Sequence, residues 1–111
     1  MADTYRVTLS VQDAAVRIKD EVQGGSVTGE LIDFHQVSFN SPQCVVMVFE
    51  KYYMRVSNRL TLTVTVDDAP GYTRVHAVGG GGGEGALFRF DWGAAESFTS
   101  AVPRALSGYI V

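Results

Sequence analysis

Arg59-Leu60-Thr61-Leu62-Thr63-Val64-Thr65-Val66 decides the fold of this chain. Every second residue is aliphatic and the residues between are arginine or threonine. Period-two alternation sends the two sets to opposite faces of an extended backbone, so the segment predicts a strand with one dry and one wet face. Such strands belong to antiparallel sheets covered by a second layer on one side.

The neighbouring segments extend this reading. Asp67-Asp68-Ala69-Pro70-Gly71 is a turn, and Tyr72 to Val78 reads as the next strand. Upstream, Gln43 to Arg55 holds Cys44-Val45-Val46-Met47-Val48-Phe49 in unbroken apolar succession, which suits a central strand covered on both faces for part of its length. From about Val27 to Phe39 the chain reads as extended, but the apolar phase changes between Ile32 and Phe34 on even positions and Val37 and Phe39 on odd ones. A bulge near His35-Gln36 would explain the slip. Asn40-Ser41-Pro42 separates this strand from the next.

At the front of the chain Tyr5, Val7, Leu9 and Val11 alternate with polar residues and predict a first strand. Ser10 then serves as a helix N-cap with Asp13 three residues on, and Val11, Ala15, Ile18 and Val22 share one helical face. Gly24-Gly25 ends this helix, with glycine expected in a left-handed C-cap conformation. Ala86 to Phe90 predicts a last short strand. Asp91 caps a final helix whose stripe is Ala95, Phe98, Val102, Ala105, Leu106 and Tyr109, with Trp92 stapling it to the sheet. Pro103 interrupts that helix and predicts a kink or a break into two short segments.

The fold class is therefore α+β: one domain over residues 1–111, with an antiparallel sheet of five or six strands and two helices on one face. The order is β-α-β-β-β-β-(β)-α. Thr61, Thr63, Thr65, Arg74, His76 and Arg89 give the other face its polar character.

The composition bounds what this fold does. The 111 residues suffice for one hydrophobic core, and 46% hydrophobic with 19% charged residues is ordinary for a globular chain. A net charge of −3 lacks the basic excess that draws proteins to nucleic acid, so no nucleic-acid partner is expected. A single cysteine, Cys44, forms no internal disulfide. No apolar run approaches the ~20 residues of a spanning helix and no leader pattern opens the sequence, so a cytoplasmic protein without a membrane partner is expected.

Three features carry potential chemistry. Gly79-Gly80-Gly81-Gly82-Gly83-Glu84-Gly85 has no lysine or hydroxyl of a phosphate loop, and reads as a hairpin connection or as a strand that lets another backbone approach closely. Glu50-Lys51-Tyr52-Tyr53-Met54-Arg55 mixes aromatic and basic side chains. Tyr52 and Met54 are expected in the core, while Lys51, Tyr53 and Arg55 form an outer set able to meet a partner. Arg74, His76 and Arg89, with Arg59 as neighbour, gather on the polar sheet face and suit a carboxylate or phosphate, although Asp67, Asp68, Glu50 and Asp91 are at hand to neutralise them. The candidate ligand-binding residues are thus Arg59, Arg74, His76, Arg89, Tyr53 and Arg55.

No nucleophile motif or paired carboxylate stands at a diagnostic spacing, and His35, His76 and Cys44 lack the close spacing of a metal set. No catalytic residue, metal or cofactor is expected. Cys44 reads as a small buried hydrophobe.

The residues Cys44 to Arg55, Ser57 to Val64, the glycine run and Phe88-Arg89-Phe90-Asp91-Trp92-Gly93 resemble a family of small bacterial proteins, known mostly from Gram-positive species and catalogued as a domain of unknown function. The resemblance covers roughly residues 40–106. It implies a cytoplasmic bacterial domain and supplies no catalytic residue. In that family the loop at Gly79 to Gly85 mixes serine, glycine and glutamine. The strand–helix order is similar to TATA-binding-protein-like and helix-grip arrangements, an architectural likeness only. The expected function is a non-enzymatic module binding a small molecule or another protein. The alternatives are a homo-oligomer associating through its sheet or an edge strand, and a small enzyme acting on an anionic substrate through Arg74, His76 and Arg89.

Overall fold

The computed structural model describes residues 2–25, 29–53, 58–81 and 97–111. These form β1 (Ala2–Val7), α1 (Val11–Gly24), β2 (Glu30–Ser38), β3 (Cys44–Tyr53), β4 (Asn58–Asp67), β5 (Thr73–Gly81) and α2 (Ala101–Ala105). The strands make one antiparallel sheet in the order β1-β5-β4-β3-β2. Strands β2 to β5 are a meander joined by short connections, and β1 is added beside β5 at the far side. The expected strand at Ala86 to Phe90, Asp91 and Trp92 lie outside the described residues.

The alternation in β4 sorts the sheet as expected. Leu60, Leu62, Val64 and Val66 are buried on one face, joined there by Val45, Met47 and Phe49 of β3 and by Val75 and Ala77 of β5. Both helices cover this face. Val11, Ala14, Ala15, Ile18 and Val22 of α1 and Phe98, Val102, Ala105 and Leu106 around α2 belong to the same buried cluster. Tyr109 packs against it with its ring beneath the Arg17 guanidinium, at 4.6 Å.

Local chemistry explains most of the boundaries. The Ser10 hydroxyl accepts from the Asp13 amide at 3.1 Å and caps α1. The helix ends at Gly24-Gly25, but not by a left-handed cap: Gly25 is extended, with φ −84° and ψ −164°. Glycine is required there for room, because a Cβ would collide with the Glu21 carbonyl oxygen and carboxylate. Residues 97–99 are helical, Ser100 is a turn and α2 follows, so the helix is divided as Pro103 demands. Pro103 then falls in the first turn of α2, where its missing N–H costs little.

Three expectations shift. The bulges of β2 lie at Ile32 and Val37, where the pairing with β3 skips a residue, while His35 and Gln36 pair regularly with Val46 and Val45. Two bulges restore the phase between Leu31 and Ser38 that a single one was expected to break. In β3 Val45, Met47 and Phe49 face the core, and Lys51 opposes buried Leu60, whereas Tyr52, expected in the core, opposes Arg59 on the open face and is half exposed; Met54 lies outside the described residues. The unbroken apolar run concealed that phase, because Val46 and Val48 are half-buried on the open face. Third, the strand expected to end at Val78 runs on through Gly79 to Gly81, which pair with Leu62, Thr61 and Leu60, so this part of the glycine run follows the strand reading and not the hairpin one.

Candidate functional site

The open sheet face is built from residues that the register lines up in rows. One row reads Thr4, His76, Thr65, Val46 and His35 across all five strands. The next, toward the turns, reads Arg6, Arg74, Asp67, Cys44 and Ser38. Where these rows cross β1, β5 and β4 they enclose a hollow of about 340 Å³ lined by Thr4, Thr65, Asp67, Arg74 and His76.

Two contacts fix this hollow. Arg74 donates from Nε and Nη2 to the two carboxylate oxygens of Asp67, at 3.0 and 2.7 Å. Asp67 is buried, and this fork answers its carboxylate with the planar donor geometry that matches it best. The Asp67 hydrogen bonds and charge hold the Arg74 guanidinium more firmly protonated than usual. The fork leaves Nη1 and the second N–H of Nη2 as donors not spent on Asp67. The second contact joins Thr4 Oγ1 and His76 Nδ1 at 2.7 Å, which orients the ring and leaves Nε2 as its other polar atom. Arg6, opposite Arg74 in the register, stacks on the Tyr72 ring at 4.2 Å and adds positive charge at the rim.

Of the residues expected to bind, Arg74 and His76 are thus brought together. Arg59 is not with them: it is the second residue of β4, six residues from Thr65 and about 20 Å along the strand. There it pairs with Glu50 at 2.6 Å and lies 5.9 Å from the Tyr52 ring. Tyr53 ends β3 opposite Asn58, at that same remote end. Arg55 and Arg89 lie outside the described residues. Of the four acids expected to neutralise the cluster, Asp67 and Glu50 pair with Arg74 and Arg59, Asp68 accepts from the Gln43 amide at 2.7 Å, and Asp91 lies outside the described residues.

Thr4 was not foreseen. It meets His76 across 72 residues of sequence, and only the β1–β5 register reveals it. Cys44 was expected to be buried but is half-buried on the open face, opposite Asp67. Burial raises its thiol pKa, the Asp67 charge raises it further, and Arg74 pulls it down.

A second hollow, of about 380 Å³, lies between the end of α1 and α2. Its charges serve the helix seam: Arg104 pairs with Glu21 at 3.0 Å, and Arg17 Nε donates to the Ala105 carbonyl at 3.2 Å. Among the described residues, no group of His, Cys, Asp or Glu is placed to hold a metal ion, and no helix is long and apolar enough to cross a membrane.

No curated protein and no solved structure matches the chain. The sequence does match a family model, and over residues 1–110, well beyond the stretch that carried the resemblance; the chain belongs to the family of unknown function DUF6054.

Proposed function

We propose that this protein is a non-enzymatic binding module whose open sheet face holds a small ligand carrying a carboxylate or similar acceptor group in the Thr4–Thr65–Arg74–His76 hollow. One observation carries the reading. Asp67 fixes Arg74 in a fork and Thr4 fixes His76, so a guanidinium donor and an imidazole are oriented in advance at the edges of one concavity. Side chains ordered before a ligand arrives lose less freedom on binding, which is how a shallow site gains affinity. Because Asp67 cancels the charge of Arg74, a single acceptor group fits better here than a polyanion such as a nucleic-acid backbone.

The test is native mass spectrometry of the protein from its own host, gentle and then denaturing, beside an Arg74→Ala/His76→Ala variant. A small mass lost on denaturation and missing from the variant supports the reading. A mass that survives the double substitution places the ligand elsewhere and sinks it. Acetate titrated into labelled protein gives a minimal probe, with amide shifts expected to be confined to Thr4, Thr65, Arg74 and His76.

A further inference from the structure

Strand β2 is hydrogen-bonded to β3 on one side, and no described residue pairs with its other edge. Large apolar side chains gather there: Ile32 is 52% exposed, Phe34 40%, Val37 54% and, just beyond the strand, Phe39 74%. Helix α1 adds Val16. The Gln12–Gln36 side-chain bond at 3.0 Å and the Gly29 amide bond to the Val22 carbonyl at 2.7 Å make α1 run antiparallel to β2. Four residues of helix from Gln12 and two of strand from Gln36 cover the same ~6 Å, so half-exposed Val16 falls beside Phe34. A lone apolar side chain at the surface needs no explanation, but a cluster on an unpaired edge strand does.

We propose that β2 joins two copies of this chain, edge to edge and antiparallel, about a two-fold axis passing through Phe34. Symmetry narrows the choices. An antiparallel contact about an axis normal to the sheet sets residues of the same face opposite each other, so the axis must pass through a residue and not between two. The bulges at Ile32 and Val37 confine regular pairing to Asp33-Phe34-His35-Gln36, which restricts the centre to the middle of that run and resists slippage.

Charge complementarity then selects Phe34 over His35. Centring on Phe34 places Asp33 of each copy opposite His35 of the other, a carboxylate facing an imidazole twice over. Both residues lie on the open face, opposite Val48 and Val46 of β3. Centring on His35 instead opposes two imidazoles and leaves Asp33 against Val37. On the helix side the Phe34 axis brings two phenyl rings together next to the two copies of Val16, and aromatic pairs are favoured directly opposite each other across strands. The occupant of this edge is therefore a second copy of the chain, whose own sequence supplies the complement. The contact lies at the opposite side of the sheet from the His76 hollow and does not depend on it.

The test uses the full chain with Cys44→Ser and a single new cysteine. Directly opposed residues of an antiparallel pair have Cα atoms about 4.5–5.5 Å apart, within the range a disulfide spans. Phe34→Cys is expected to give a disulfide-linked dimer rapidly under mild oxidation, and Ile32→Cys, which falls opposite Gln36, to do so far more slowly. Sedimentation of the unmodified chain is expected to show a mass twice 12.0 kDa. His35→Asp, which opposes like charges, is expected to weaken association about tenfold, and the swap Asp33→His/His35→Asp to restore it. A monomer at high micromolar concentration, equal cross-linking at positions 32 and 34, or a swap that associates no better than His35→Asp overturns the proposal. The swap leaves the apolar residues intact, so it still reports if the cysteine variants fold poorly.

Discussion

Gly71 and Gly81 both hold a positive φ, 90° and 135°, yet a methyl group would find different surroundings at each. At Gly71 nothing lies within 4 Å of an added Cβ, so only the backbone conformation resists. At Gly81 the same atom would collide with the Arg59 carbonyl and stand 2.7 Å from Leu60 Cα. Gly71→Ala is therefore expected to cost about 1 kcal/mol, and Gly81→Ala about 3 kcal/mol or more, in urea unfolding. A glycine run tells a reader that something is sterically unusual. Which of its members touches another backbone depends on a register that the run itself does not carry. Cys44 offers a second reading of local environment. The Asp67 carboxylate disfavours the thiolate, and Arg74 favours it. Removing the negative charge with Asp67→Asn must lower the thiol pKa and move the alkylation pH–rate profile toward lower pH. An iodoacetamide rate measured from pH 7 to 10 checks this, and a profile moving upward contradicts the assigned charge coupling.

The helices and strands differ in how far they could be read in advance. The extent of helix α1 was legible because its signals are local: a serine followed by an aspartate at the third position, an apolar stripe, and a glycine pair, although the cap at Gly25 is extended and not left-handed. Ser10→Ala is expected to cost about 1 kcal/mol, measured by thermal unfolding, since the Asp13 amide loses its acceptor. Strand β4 was legible for the same reason, its alternation being written into consecutive residues. Strand β3 was not, because six apolar residues in a row mark a strand without saying which of them face the helices. The β2 bulges were detected as a phase change but misplaced, since a bulge is defined by what stands opposite, and two of them can hide in one sequence. The candidate site shows the same divide. Arg74 and His76 were named from one strand, two residues apart on one face. Their partner Thr4 and the distance of Arg59 follow only from register.

The register also ties the two ends of the described chain to each other. The β1 edge away from β5 is met by the last residues: the Thr8 amide donates to the Tyr109 carbonyl at 3.0 Å, the Val111 amide to the Arg6 carbonyl at 2.9 Å, and Val7 bridges Ile110. Deleting Tyr109 to Val111 is expected to speed hydrogen exchange of the Thr8 amide and of the neighbouring β1 amides, while the β3–β4 amides stay protected. Equal acceleration across the sheet would show that β1 is not a separable unit. This same pairing sets an order on how the molecule forms. Strands β2 to β5 each find a partner next in sequence, and α1 needs only its own turns. Val7 must wait for Thr73, and Ala2 for Val78, with the chain between them already made. Loop closure over such a span is the slow event in assembling an antiparallel sheet. On a ribosome the nascent chain is therefore expected to carry its first strand unpaired while the meander forms, leaving the β5 edge bare until that strand folds back over it. Among the described strands, the first one translated is expected to be the last to dock, and the bare β5 edge that precedes its docking is where mispairing is expected.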